Sequence, residues 1–259
     1  MLPASMHKYL FVFRTRFLAL ARNYSYLIGL SLFLFTCLIV FAHVYAVLPP
    51  HPAYSKEELL WYLALNEWIL ISLPFIHYSI ADEIHEGVMT MQLVRPVSYV
   101  GMKIAEGAAQ TAVNVIVLGI ITFVFCTLWT GVFPFGPVSL LVMLLLSAMS
   151  AFLGLLFHIA VGLFSFWFSE IIACFWLWTQ IVFFFGGLFV PLSAYPAALQ
   201  KILYFVPSPC ILGGRSGLVI ASSGQHYLFI FLLDIIWIAL AIRLLHFIFQ
   251  KGLKSMGAL

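Results

Sequence analysis

The chain has 259 residues, of which only 12 are Lys or Arg and 9 are Asp or Glu, while 64% are apolar and 26 are Phe. A soluble domain covers its surface with about 25% charged residues; here the share is 8%. That composition excludes a soluble enzyme, a nucleic-acid-binding domain and a disordered chain, and it leaves an integral membrane protein built of helices.

Residues 5–24 come first in the chain. Leu10, Phe13, Phe17, Leu20 and Tyr24 recur at three- and four-residue steps, which at 100° per residue places them on one face. Lys8 and Arg22 fall nearly opposite, and Arg14 and Arg16 flank the apolar stripe, where long side chains can snorkel. This pattern predicts a basic amphipathic helix lying in the membrane interface. It does not read as a cleavable signal, because Arg14, Arg16 and Arg22 interrupt the apolar stretch.

Apolar runs follow at 26–48, 59–80, 104–129, 138–164, 171–190 and 227–249. Each has 20 residues or more, and about 20 residues at 1.5 Å each cross a ~30 Å hydrocarbon layer. Six spans in one domain covering 1–259 are therefore predicted, with both termini on one side. Nine of the twelve basic residues lie on that terminal side, at the N-terminus, between spans two and three, and at the C-terminus. The positive-inside rule places that side in the cytoplasm.

Two segments between spans carry their own patterns. In the 82–103 loop, Ser79 precedes Asp82 by three, like a capping box, and Asp82, Glu83 and Glu86 cluster as in a first helical turn. Arg95-Pro96 closes the element, since a residue before proline avoids the helical region. A short acidic helix parallel to the membrane is expected, read either as a solvated loop or as a docking surface. The 191–226 segment is long for a loop yet apolar. Residues 197–206 form a short helix by pattern, stopped by Pro207 and Pro209, and Gly213-Gly214 breaks the chain beyond. Such a segment reads as a re-entrant hairpin, whose irregular backbone has to be buried in protein or line a cavity.

The chemistry of an enzyme is missing from the sequence. There is no G-x-x-x-x-G-K-[ST] phosphate loop, no H-E-x-x-H and no G-x-S-x-G. Cys37, Cys126, Cys174 and Cys210 have no metal spacing and read as packing residues. Within the spans, Glu67, His77, His158, Asp234 and Arg243 are isolated ionisable residues. Each is a functional candidate by default, Glu67 and Asp234 as pathway residues, and His77, His158 and Glu67 as the basis of an intramembrane-enzyme alternative with proton transfer or metal binding. A scaffold or sensor that docks an ATPase without transport is a third reading.

Two stretches resemble a known family. Glu83-Ile84-His85-Glu86-Gly87, followed by Leu93-Val94-Arg95-Pro96-Val97-Ser98, resembles the loop pattern of ABC-2 type ATP-binding-cassette permeases. Gly186-Gly187-Leu188-Phe189-Val190-Pro191, then Tyr195-Pro196 and Leu203-Tyr204-Phe205-Val206-Pro207, resembles that family's fifth-span end and outer helix. The pattern departs at Thr90 and Gln92, where acidic and apolar residues are usual in the family. The resemblance implies a permease subunit of an ATP-driven exporter in the bacterial inner membrane. It implies that Glu83, Glu86, Gly87, Arg95 and Pro96 form a coupling helix seated on a separate ATPase. It further implies Phe13, Arg14, Arg16 and Phe17 as an interfacial gate, and Gly186, Gly187, Pro191 and Pro207 as the outer re-entrant hairpin. No cofactor would be held by this chain; ATP and Mg would be bound by two copies of the partner ATPase, and a second permease chain would complete the pathway. No nucleic-acid partner is implied.

Overall fold

The computed structural model describes residues 4–49, 53–94, 97–203, 205–220 and 224–257. Among the described residues the chain is helical throughout: α1 Ala4–Ala21, α2 Tyr24–Val47, α3 Lys56–Ser72, α4 Ile76–His85, α5 Val88–Leu93, α6 Tyr99–Thr130, α7 Pro137–Leu163, α8 Ile172–Gly186, α9 Ala197–Leu203, α10 Ser208–Ile211, α11 Gly213–Ser216 and α12 Gly224–Ser255.

The boundaries follow from side chains that satisfy the first free N–H groups of each helix. Asn23 caps α2 by accepting from the Tyr26 amide, and Ser55 and Glu58 form a full capping box on α3. Ser98 caps α6, which ends at Gly131 with φ +69°, a left-handed position suited to glycine. Pro137 opens α7 at its first position, where its missing N–H costs nothing. Pro74 interrupts the chain between α3 and α4. A proline disfavours helix in the residue before it and offers no amide.

Five helical stretches are long and apolar enough to cross a membrane: Tyr24–Val47, Lys56–His85, Tyr99–Thr130, Pro137–Phe166 and Tyr227–Ser255. The protein is thus an all-helical, multi-pass membrane protein. The expectation of a sixth full-length span at 171–190 needs correcting, because α8 has only 15 residues. At 1.5 Å per residue that is about 22 Å, short of a ~30 Å core. Gly187, at φ +68°, ends the helix early. The apolar residues beyond it form a broken return rather than a helical turn.

The capping-box expectation at Ser79 is also corrected. Helix α4 starts at Ile76 and runs through Asp82 and Glu83 to His85. The first residue to stop it is Gly87, at φ +74°. Asp82 and Glu83 therefore sit in a last turn, not a first, and Ser79 Oγ instead donates to Glu83 Oε1 at 3.3 Å. Arg95 and Pro96, expected to end this element, lie outside the described residues, as does Tyr204.

Helix α3 is the hub. Every residue from Leu60 to Ile69 is under a tenth exposed, and α2, α6, α7 and α11 all pack on it. Close approach is set by glycines: a Cβ on Gly119 would lie 2.8 Å from the Trp68 ring, and one on Gly162 of α7 would lie 2.9 Å from the His77 Cα. In contrast, α2 turns Ile28, Leu32 and Phe33 outward, each more than half exposed.

Candidate functional site

Two places combine buried polar chemistry with irregular backbone. One is the turn between α4 and α5. There the Lys103 Nζ of α6, only 3% exposed at its side chain, donates to Glu83 Oε1 and, at 3.1 Å, to Glu106 Oε2. The other Glu83 oxygen accepts from the Tyr99 hydroxyl at 2.9 Å and from Gln92 Nε2 at 3.2 Å. A single carboxylate thus ties α4, α5 and α6 together. The low exposure strengthens these charge-assisted bonds, which water would otherwise weaken. The neighbouring ring of His85 reaches the Ser165 carbonyl at 3.3 Å, fastening the same turn to the end of α7. Met89 is fully buried beneath it. Asp82 and Glu86 remain exposed.

The other place is the segment from Gly186 to Gly217. Helices α10 and α11 dip into the bundle against α8, α7, α3 and α12. The backbone turns sharply between them at Leu212, with φ −121° and ψ −93°. Side chains from α3 hold the return. The Tyr62 hydroxyl donates to the Gly187 carbonyl at 2.5 Å, and Asn66 Nδ2 donates to the carbonyls of Gly187 and Leu188 at 3.2 and 3.1 Å. Ser216 Oγ donates to Asn66 Oδ1 at 2.7 Å, and Ser150 Oγ to the Cys210 carbonyl at 2.6 Å. Arg215 is fully buried; its Nη2 donates to the Leu65 carbonyl at 2.7 Å and its Nη1 to Ser147 Oγ at 3.4 Å, with the guanidinium 6.0 Å from the Trp68 ring centre. Irregular backbone at such depth survives only when its carbonyls find partners, and these are the partners. A cavity of about 280 Å³ opens beside the return, lined by Pro191, Gln200, Pro209, Gly213, Ile230 and others.

The residues expected from sequence distribute as follows. Glu83 and Glu86 flank one turn of helix, with Gly87 supplying the left-handed corner. Glu83 faces inward as a fastening, and Glu86 faces out. On α1, Phe13 and Phe17 are half-buried while Arg14 and Arg16 are exposed. Of the apolar stripe, Phe13, Phe17 and Leu20 are half-buried and Leu10 is 54% exposed; Tyr9 also turns inward. The cause is α6, where Gly101 leaves a slot for the Tyr9 ring and the Tyr9 hydroxyl accepts from the Ser98 amide at 3.0 Å. Gly186, Gly187 and Pro191 meet at the buried start of the return, and Pro207 stands half-buried before α10. Glu67 and Asp234 are not brought together. Glu67 is buried on α3 toward Cys37 of α2, whereas Asp234 is buried on α12 toward Cys210 and Arg215. Among the described residues, neither Asp234 oxygen has a hydrogen-bond partner.

His77 and His158 do meet, ring centroids 5.4 Å apart, but His77 stacks on Phe175 at 4.0 Å and His158 Nδ1 reaches the Pro74 carbonyl at 3.0 Å. No carboxylate or third ligand gathers on them among the described residues. Arg215 and Lys103 are not singled out by any motif in the sequence, yet both are buried cations here. A lone arginine after two glycines in an otherwise apolar stretch was the available signal, since an isolated charge there must find partners. Lys103 offered a similar one: it lies three residues before Glu106, one helical turn away.

A family model described as ABC-2 family transporter protein matches residues 26–258. The chain therefore belongs to that family, whose members are membrane components of ABC transporters that work with an ATP-binding subunit. No curated protein matches the chain.

Proposed function

We propose, from that membership, that the chain is the membrane subunit of an ATP-driven exporter, seated on a separate ATPase through the turn between α4 and α5. The fastening of Glu83 by Lys103, Tyr99 and Gln92 carries this reading. A docking element has to be stiff to transmit a partner's movement, and Glu83 joins the turn rigidly to the start of α6. Asp82 and Glu86 stay exposed as charges for a partner to meet. Glu83 then serves as a positioning residue, Glu86 as a docking contact and Gly87 as the corner that aims α5; Arg95 and Pro96 complete the element. ATP and Mg belong to the partner, since this sequence has no phosphate loop.

In this reading six spans cross the membrane, with α8 and the α10–α11 return together filling the depth that α8 alone does not reach. The termini are cytoplasmic by the positive-inside rule, in a bacterial inner membrane. Two permease chains, alike or sister, stand over two ATPases. Binding of ATP shifts the pair between inward- and outward-facing states. Helix α1, with Phe13, Arg14, Arg16 and Phe17, gates lateral admission from the inner leaflet. Gly186, Gly187, Pro191 and Pro207 shape the outer lid, and Glu67 and Asp234 are pathway candidates.

Co-purification of the tagged full-length chain from its native membranes, with any ATP-binding-cassette ATPase identified by mass spectrometry, tests this reading. Glu86→Arg is expected to reduce recovery of the ATPase and ATP-driven export together, while leaving the permease folded. Unchanged recovery, ATPase activity and export would remove the docking role.

A further inference from the structure

Helices α1, α2 and α6 meet the break between α3 and α4 around a second cavity, of about 220 Å³. Its lining is mixed: Leu30, Ile71, Leu73 and Phe75 are apolar, and Arg16, Glu106, Gln110, Tyr26 and Ser79 are polar or charged. The polar part is built rather than incidental. The Tyr26 hydroxyl accepts from Gln110 Nε2 at 3.1 Å and from Asn114 Nδ2 at 3.0 Å, and Asn114 Nδ2 also donates to the Ser72 carbonyl at 3.1 Å.

The charges there balance. Lys103 lies between Glu83 and Glu106, so the two carboxylates share one ammonium. Arg16, which makes no ion pair among the described residues, brings the local formal charge to zero. A ligand with one net charge of either sign would leave an uncompensated charge at this half-buried place. A ligand carrying both signs would not.

We propose that this cavity binds the headgroup of a zwitterionic phospholipid. The phosphate lies against the Arg16 guanidinium, whose planar fork suits paired oxygens. The ammonium lies against Glu106. The glycerol end follows the apolar part of the lining, at Leu30, Ile71, Leu73 and Phe75. An amphipathic α1 is then held down by a lipid as well as by α6, and the lipid bridges the gate helix to the break at Pro74. The assignment rests on α1 lying at a membrane surface, as in the function proposed above, but not on export or its direction.

Native mass spectrometry of the delipidated full-length protein in detergent tests it, with phosphatidylethanolamine and phosphatidylglycerol of identical chains. The wild type is expected to retain phosphatidylethanolamine about tenfold more strongly. Arg16→Gln, at an exposed position, is expected to lose most of that retention. Glu106→Gln is expected to turn the preference toward phosphatidylglycerol; should that variant fail to fold for want of the Lys103 contact, Arg16→Gln alone decides. Equal retention of the two lipids by the wild type, or undiminished phosphatidylethanolamine on Arg16→Gln, overturns the site. Because binding is read without nucleotide or transport, a failure of the exporter reading shows in the export assay and leaves this result standing.

Discussion

The α4–α5 turn and the α10–α11 return each bury a cation, and they solve the problem in opposite ways. At the turn, Lys103 is neutralised by carboxylates on both sides, Glu83 and Glu106. At the return, Arg215 is held by a backbone carbonyl, a serine hydroxyl and an aromatic face, while Asp234 stands near without closing an ion pair. An ion pair between side chains can be undone and remade by changing either partner. Hydrogen bonds to a backbone carbonyl cannot, because the acceptor is fixed by the helix that carries it. The turn is thus an electrostatic fastening between side chains, and the return is a fitted plug. A part that meets a moving ATPase benefits from the first; a part that must hold irregular backbone at depth requires the second.

The largest effect is expected at the plug. Arg215→Ala removes donors to Leu65 and Ser147, opens a cavity beside Trp68 and leaves Asp234 without a nearby positive charge. Breaking buried charged contacts of this kind costs about 3–5 kcal/mol. Thermal unfolding of the purified protein should show it as a large loss of stability or of yield. A near-neutral result would mean that packing alone seats the return.

The fastening is expected to lose less. Lys103→Met leaves Glu83 and Glu106 facing each other unpaired, but both are partly exposed, at 17% and 26%, so water relieves some of the repulsion. About 2 kcal/mol is a reasonable scale once the buried-pair figure is discounted for exposure. The comparison sharpens in the double variant Lys103→Met with Glu83→Gln, which should recover part of that loss because it removes the orphaned charge. At Arg215 the hydrogen-bond partners are a backbone carbonyl and a hydroxyl, so a second substitution at Asp234 would relieve only the orphaned carboxylate and not the lost donors. Gly213→Ala tests the plug by shape instead. Its Cβ would lie 2.6 Å from the Gly186 carbonyl oxygen and 2.5 Å from the Tyr62 hydroxyl. Backbone cannot give way cheaply, so about 1–3 kcal/mol of overpacking is expected, seen in the same melting experiment.

The two regions were unequally legible in the sequence. Membrane class and family were readable, because charge scarcity and long apolar runs depend on composition and because the Glu-Gly and Arg-Pro loop pattern is local. The shortened α8 was not. Its apolar run continues past Gly187, and only the left-handed corner with Tyr62 and Asn66 waiting for its carbonyls ends the helix there. The start of helix α4 was not legible for a related reason. Ser79 and Asp82 have the spacing of a cap, yet no proline or glycine separates them from Ile76, so helix α4 runs straight through. Burial of Arg215 depends on residues 150 positions away in the chain, at Leu65, which no local pattern reports. The seating of α1 likewise depends on Gly101 admitting Tyr9.

The smallest effect separates what the turn does for stability from what it offers a partner. Asp82 is exposed, one residue from Glu83, in the last turn of α4, where a carboxylate faces the unfavourable end of the helix dipole. Asp82→Asn should therefore leave stability within about 0.5 kcal/mol, or raise it slightly, as exposed substitutions do. Glu83→Gln, next to it, removes a charge that Lys103, Tyr99 and Gln92 all hold, and should lower stability clearly. Melting temperatures of the two variants measured side by side decide the matter. If Asp82→Asn destabilises as much as Glu83→Gln, the turn is held by its overall acidity and not by one inward carboxylate. If it does not, any loss of ATPase recovery on Asp82→Asn reports on docking alone, with the fold unchanged.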